Sequence, residues 1–204
     1  MSYRLKGAVA LSVLTLATSV FAQSADTQPQ RIRGDIVSVD GNTLKLHRAS
    51  GTTVSIALQD NTPVAAVRKI ALSDIKAGSF IGTAATTGHD GKLTAREVVV
   101  FPEAARGTGE GHYAWDLGAH STMTNANVDS VVQGTQGRNL KLSYKGGSTD
   151  VTVPDNVPVV TVIPATHADL VAGKKAFIVA TPASGGGFSA QRVIVEKDGV
   201  PPPM

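Results

Sequence analysis

Two stretches of this chain read almost alike: Gly41-Asn42-Thr43-Leu44-Lys45-Leu46 and Gly137-Arg138-Asn139-Leu140-Lys141-Leu142. Apolar leucines alternate with polar residues in both, which is the pattern of a β-strand with one buried face. The glycine at the start of each stretch suits a tight turn that leads into the strand. The sequence therefore predicts a hairpin strand that the chain uses twice.

The similarity continues along the chain at a spacing of about 95 residues. A repeat at a fixed spacing indicates one structural unit used twice. Because the matched positions are turn residues and small core residues, the repeat defines the architecture better than the chemistry. Further matched pairs are Asp60 with Asp155, Asn61 with Asn156, Ala95 with Ala190, and Val98 with Val193.

The first unit contains five short segments and the second contains counterparts of four of them. All are rich in Val, Ile, Leu and Thr and are separated by Gly, Asn, Asp and Pro, as in an antiparallel sheet. Between the third and fourth segments lies about one helical turn. There Asp74 and Asp169 suit a turn or cap position, and Gly78 and Gly173 suit a positive-φ exit. The segments are 32–39, 43–47, 53–58, 80–86 and 93–101 in the first unit, and 139–144, 149–153, 176–180 and 188–195 in the second.

This order of elements predicts an all-β fold of two tandem OB-like small β-barrels with a short helical turn in each. An SH3-like barrel or a sandwich is the alternative, because sequence pattern fixes the class of a strand better than its pairing. The predicted domains are a signal peptide (1–22), a flexible lead-in (23–30), a first β-barrel repeat (31–101), a Gly-rich linker and aromatic strap (102–127), a second β-barrel repeat (128–196) and a Pro-rich tail (197–204).

The start of the chain has the features of an export leader. Arg4 and Lys6 precede an apolar run over 7–21, and Val20 and Ala22 suit a signal-peptidase site. We therefore expect export to the periplasm and no membrane span once the leader is removed. The absence of cysteine excludes disulfides, a lipidated cysteine and thiolate metal sites.

Composition argues against two classes of function. The chain has 19 Lys and Arg against 16 Asp and Glu, and two of the basic residues belong to the leader, so nucleic acid is not an expected partner. No Gly-x-Ser-x-Gly elbow or His-Glu-x-x-His helix is present, and the acidic residues are scattered singly. We therefore predict that the protein is not an enzyme; an envelope carbohydrate-active hydrolase, which would need a pair of carboxylates, is a second alternative.

The inter-repeat segment 102–127 has no counterpart inside either repeat and contains the only tryptophan. Its glycine run, 106–111, lacks the third glycine of a dinucleotide fingerprint and the Gly-Lys-Ser/Thr of a P-loop, which favours a linker. Next, Tyr113, Trp115 and Leu117 alternate with polar or small residues, which indicates an extended strap whose apolar side chains cover the seam between the barrels. An exposed aromatic platform for a sugar or peptide is the alternative.

The same segment suggests a small set of binding residues. His112, Tyr113, Trp115 and Asp116 are the candidate ligand-binding residues, and His112, Asp116 and His120, spaced four apart, are the candidate metal ligands. In an extended chain His112 and Asp116 would lie about 13 Å apart, so a shared metal ion would require the chain to fold back. No cofactor is required by this sequence, and a divalent metal is the open alternative.

Several motifs together resemble an exported proteobacterial family. These are Arg106-Gly107-Thr108-Gly109-Glu110-Gly111-His112, Trp115-Asp116-Leu117, Ser121-Thr122-Met123-Thr124-Asn125-Ala126 and the Pro-Pro-Met end. The resemblance implies tandem small β-barrels of unknown function, in a family whose members are sometimes labelled metal ABC transporter permease. Since a permease requires several spanning helices, the resemblance implies at most an accessory periplasmic role near a metal transporter.

From these observations we predict a non-catalytic periplasmic binding or interaction module built from two β-barrel repeats. Its partner is an unknown envelope protein or a small ligand. The first alternative is a periplasmic metal-binding accessory protein associated with a metal transporter.

Overall fold

The computed structural model describes residues 28–134 and 137–202, and over these residues the protein is all-β. The predicted signal peptide, residues 23–27 of the lead-in and the last two residues lie outside the described residues. Three short 3-10 turns, Leu72–Asp74, Glu103–Ala105 and His167–Asp169, are the helical elements of the described part. The strands are β1 (Gln30–Asp40), β2 (Thr43–Arg48), β3 (Thr53–Ala57), β4 (Val64–Lys69), β5 (Phe80–Thr87), β6 (Leu93–Val100), β7 (Gly111–Ala114), β8 (Ser121–Gly134), β9 (Gly137–Tyr144), β10 (Gly147–Val153), β11 (Val159–Pro164), β12 (Lys175–Pro182) and β13 (Phe188–Val195).

The strands form where apolar and polar residues alternate. In β2, Leu44 and Leu46 are fully buried while Lys45 between them is exposed. The repeat equivalents of the leucines, Leu140 and Leu142 in β9, are fully buried as well. Burial of one such side chain contributes about 1.5–3 kcal/mol, so the alternation fixes which face of each strand points inward.

The first barrel consists of β1, β2, β3, β13 and β12, paired in that order. The neighbouring pairs within this ring are antiparallel, and a parallel contact between β3 and β13, with Ile56 opposite Phe188, closes it. Its interior contains Ile32, Ile36, Leu44 and Leu46 together with side chains from β12 and β13.

The second barrel consists of β8, β9, β10, β6 and β5 in the same arrangement. It too is antiparallel except at its closure, where β10 runs parallel to β6 and Val151 lies opposite Leu93. This strand order is that of an OB-type barrel. The predicted all-β barrel class is therefore confirmed.

Neither barrel is formed by one repeat alone. The first barrel takes β1, β2 and β3 from the first repeat but β12 and β13 from the second. The second barrel takes β8, β9 and β10 from the second repeat but β5 and β6 from the first. The boundaries predicted from the repeats, 31–101 and 128–196, thus enclose two similar sequences and not two cores, because each repeat exchanges its last two strands with the other.

The 3-10 turns dock each repeat onto the barrel that the other repeat begins. Asp74 accepts a hydrogen bond from the backbone of Ala71 (3.0 Å), and Asp169 accepts one from Thr166 (2.8 Å). The chain then turns at Gly78 (φ +86°) and Gly173 (φ +85°), a region that favours glycine. The Gly78 N–H donates to the Val128 carbonyl of β8 (2.8 Å), and the Gly173 N–H donates to the Ile36 carbonyl of β1 (2.8 Å).

Strands β4 and β11 carry the chain from one barrel to the other. They pair antiparallel with Val67 opposite Val162, two equivalent positions of the repeat, so an approximate twofold axis passes through this pair. A continuous sheet results, in the order β8-β5-β6-β11-β4-β13-β12-β1. One face of this central sheet supplies both barrel cores and the other lies between the barrels: Val98 belongs to the second core, whereas Val99 packs with Val67 and Val160 on the opposite face.

Two predicted boundary segments are more ordered than their sequence suggested. Strand β8 begins at Ser121, inside the predicted linker 102–127, because residues 121–127 pair with β5. At the other end, Asp198 and Gly199 adopt positive φ and turn the predicted tail back so that Lys197 pairs with Val200. The described part of the chain contains no helix with the length and apolar character needed to cross a membrane.

Candidate functional site

A cavity of about 270 Å³ lies on the inter-barrel face of the central sheet. We call it the groove. Its position follows from strand alternation, since the side chains that line it point away from both barrel cores. The groove is lined by Gly82, Glu97, Val99, Phe101, Thr108, Gly109, Tyr113, Trp115, Met123, Asn125, Val162, Phe177, Arg192 and Ile194.

Residues 111–116, here called the strap, cross the groove from the second barrel to the first. The strap begins as β7, which pairs with β8. Trp115 then lies against the guanidinium of Arg31 on β1, 3.9 Å from the ring centroid, and the Trp115 Nε1 is buried without an acceptor among the described residues. Asp116 accepts two hydrogen bonds from Arg33, at 2.7 and 2.8 Å. A stacked cation and a bidentate ion pair thus attach the strap to the first barrel.

The glycine run before the strap is held by side chains rather than left as a free linker. Asn125, buried in β8, shares the two hydrogens of Nδ2 among three acceptors: the carbonyls of Thr108 (3.2 Å) and Gly109 (3.1 Å) and the Tyr113 hydroxyl (3.2 Å). Arg106 donates to Glu103, to Asn127 and to the Gly78 carbonyl. This segment therefore forms a fixed wall of the groove.

Aromatic side chains are concentrated at the groove. Phe101, Tyr113, Trp115 and Phe177 line it, which is four of the seven Phe, Tyr and Trp residues in the described part of the chain. Tyr113 and Trp115 contact each other with ring centroids 6.1 Å apart and planes inclined by 57°. Flat apolar faces of this kind bind planar or apolar groups.

Two charged residues stand in this mostly apolar lining. Glu97 is 6 % exposed, whereas Arg192 is exposed to solvent. Desolvation lowers the pKa of Arg192, Tyr113 acts in the opposite direction, and the neighbouring Arg31 cation lowers it further. Burial raises the pKa of the Tyr113 hydroxyl against the effect of both arginines, so Tyr113 is a neutral hydrogen-bond donor at pH 7.

The predicted binding residues do not act as one group. Tyr113 and Trp115 line the groove, and Asp116 anchors the strap to Arg33. His112 does not line the groove: its Nδ1 contacts the Thr124 hydroxyl (2.8 Å) and its ring stacks on Tyr144. Alternation along β7 explains this, because Tyr113 faces the groove and its neighbour must face away.

The predicted metal ligands are also engaged separately. Asp116 is paired with Arg33, His112 with Thr124, and His120 is exposed at a positive φ of 60°. Across residues 28–134 and 137–202, no three His, Asp or Glu side chains are grouped so that they could hold a metal ion.

The groove also contains residues that the sequence did not single out. Gly82 and Phe177 are equivalent positions of the repeat, and so are Glu97 and Arg192, yet each pair differs in size or charge. The adjacent core positions Val98 and Val193 are identical. Comparing the two repeats position by position for such differences would have identified these residues from sequence.

Chemically, the groove offers aromatic faces, one carboxylate, one guanidinium and one phenol. Among the described residues, Glu97 is the one carboxylate that lines the groove, and no histidine lines it. This arrangement suits binding. Comparisons with family models, with curated proteins and with solved structures found no match to this chain.

Proposed function

We propose that the protein is a non-catalytic binding module of the periplasm that holds a small ligand in the groove between its two barrels. The observation that supports this is the concentration of four aromatic side chains around one cavity, in a chain whose Phe, Tyr and Trp content is only 4 %. Aromatic and apolar lining with a few polar groups is the usual composition of a small-molecule site.

The two repeats supply an internal control for this proposal. A seam that only joined two equivalent halves would keep equivalent side chains on its two sides. In the groove, Gly82 stands where the other repeat has Phe177, and Glu97 stands where it has Arg192. The two sides of the groove therefore differ in side-chain size and in charge, which favours a ligand site over a packing contact.

The periplasmic location is the part of the proposal that rests on residues 1–22, whose basic start, apolar run and small residues suit an export leader. In that compartment the module would take up a small ligand directly, or present it to an envelope protein.

Intrinsic fluorescence tests the proposal directly, because Trp115 is the only tryptophan and lies in the groove wall. We expect at least one member of a panel of small apolar, aromatic and charged compounds to change the Trp115 emission and to raise the melting temperature. At a ligand concentration 100 times Kd the stabilisation is about 2.7 kcal/mol, which corresponds to roughly 5–10 °C.

A pair of matched variants separates groove binding from adsorption elsewhere. Phe177→Ala removes a ring from the groove, whereas Phe188→Ala removes a ring that packs against the first barrel's core and Arg48. We expect the first variant to lose the response and the second to keep it. A panel without any response, or equal responses in both variants, would refute the proposed function.

A further inference from the structure

Two arginines lie at or beside the groove. Arg192 lines it together with Tyr113 and Trp115, and the guanidinium of Arg31 lies 3.9 Å from the centroid of the Trp115 ring. Among the described residues no carboxylate lies within ion-pair distance of either arginine, whereas Arg33 nearby is already paired with Asp116. Two arginines at one cavity, neither of them in an ion pair among the described residues, form a site that an anion would stabilise.

Most of the groove lining is apolar, with the buried Glu97 as its one carboxylate, and the groove is small. Val99, Met123, Val162 and Ile194 complete the lining between the aromatic rings. A cavity of about 150 Å³ accepts one benzene molecule, so the groove's volume of about 270 Å³ leaves room for one ring and a short substituent.

Resting on the proposed function, we propose that the ligand is a small aromatic carboxylate: its ring lies among Trp115, Phe101 and Phe177, and its carboxylate meets Arg192 and Arg31. The arginine fork binds a carboxylate in two parallel hydrogen bonds, which fixes the ligand's orientation. The Tyr113 hydroxyl already accepts a hydrogen bond from Asn125, so its own proton is left to donate to the same carboxylate.

The combination of apolar and charged groups in the groove makes the recognition selective. The apolar walls position the ring and the exposed arginines position the charge. A ligand must therefore carry an aromatic ring and a carboxylate a short distance apart in one molecule. A simple carboxylate lacks the apolar contact, and a neutral aromatic lacks the charge. Loss of a hydrogen bond to a charged group costs about 1.5–3 kcal/mol, which is roughly a tenfold to hundredfold change in affinity.

The test compares phenylacetate with phenylacetamide, which has the same shape without the charge, and with acetate, which has the charge without the ring. Binding to the chain from Gln23 onward is measured by calorimetry and by Trp115 emission. We expect phenylacetate to bind at least tenfold more tightly than phenylacetamide, and acetate to give no response. Arg192→Gln should weaken phenylacetate by at least tenfold and leave phenylacetamide unchanged.

Arg68→Gln is the matched control, since Arg68 is an exposed arginine on β4 whose side chain points to the other face of the central sheet from Val67. It should leave all affinities unchanged. If phenylacetamide or phenethylamine binds as tightly as phenylacetate, the ligand class is wrong while the proposed function stands. If the carboxylate fails and no other compound of the wider panel responds, both proposals are refuted.

Discussion

The two faces of the central sheet show different kinds of change between the repeats. On the core face, Val98 matches Val193 and Val100 matches Val195, while Ile81 and Ala176 differ in size but are both apolar. On the groove face, Val67 and Val162 are identical, but Glu97 and Arg192 carry opposite charges. Among these pairs, the change of charge therefore occurs on the groove face, although both faces belong to the same strands.

The largest expected effect concerns the exchange of strands between repeats. A chain of residues 31–101 contains three strands of one barrel and two of the other, so it can complete neither core. We expect it to show no cooperative thermal transition by circular dichroism. A chain that joins residues 30–62 to 166–196 should fold, because it restores the first barrel and because His167 contacts the Thr62 carbonyl at 3.2 Å, which brings the new junction close.

The opposite result would contradict this prediction. A cooperative transition in residues 31–101, combined with its absence in the rejoined chain, would show that the repeat and not the exchanged barrel is the folding unit.

The second effect tests whether the matched core positions are equivalent in energy. Leu46→Ala removes a fully buried side chain from the first barrel, and Leu142→Ala removes the equivalent side chain from the second. Each should lower the free energy of unfolding by about 2–5 kcal/mol, as measured by urea denaturation. Lys45→Ala, at an exposed position of the same strand, should change it by less than about 0.5 kcal/mol. Markedly unequal losses for the two leucines would show that the approximate twofold symmetry does not extend to stability.

The barrel class was predictable from sequence because its signals are local. Alternation in β2 and β9, and the Asp and Gly residues of the two helical turns, appear within a few residues of each other. Strands β4 and β11 were not predicted, since each is short, follows a proline and becomes a strand by pairing with the other. The exchange of strands was not predictable either, because a repeat shows which segments are alike and not which copy they contact.

The groove was predictable only in part, for a related reason. Tyr113 and Trp115 stood out because they lie outside the repeats and alternate within one short segment. Phe101, Phe177 and Arg192 come from distant strands and meet only when the central sheet forms. His112 shared the local signal of its neighbours but faces the other side of β7, which only the register of β7 on β8 decides.

A smaller effect is expected from adding one methyl group to the groove. A Cβ atom at Gly82 would lie 2.6 Å from Asn125 Oδ1 and 3.0 Å from the Phe101 ring. Gly82→Ala should therefore cost about 1–3 kcal/mol of stability and abolish the Trp115 response to phenylacetate, because both neighbours must move into the cavity. Gly185→Ala, where a Cβ atom meets nothing within 4 Å, is the control and should preserve both properties. A full response in Gly82→Ala would place the ligand elsewhere.

The smallest effect concerns the attachment of the strap to the first barrel. Burial raises the pKa of Asp116, but the hydrogen bonds and charge of Arg33, aided by Arg31, outweigh it and hold this pKa below its usual value of 3.8. Because the pKa is depressed in the folded state, the stabilisation is present above pH 4 and is lost as the pH falls through the folded-state pKa. Trp115 emission should therefore stay constant from pH 7 to pH 5 and shift only in stronger acid.

Asp116→Asn tests the ion pair between Asp116 and Arg33 without a change of pH. It should give the acid-type emission already at pH 7, with a stability loss below about 1 kcal/mol because the pair is partly exposed. Asp90→Asn, which removes the exposed pair with Lys92 far from the strap in sequence, should leave the emission unchanged. If Asp116→Asn instead keeps the neutral-pH emission, the contact of Trp115 with Arg31 holds the strap by itself, and the ion pair is dispensable to the groove.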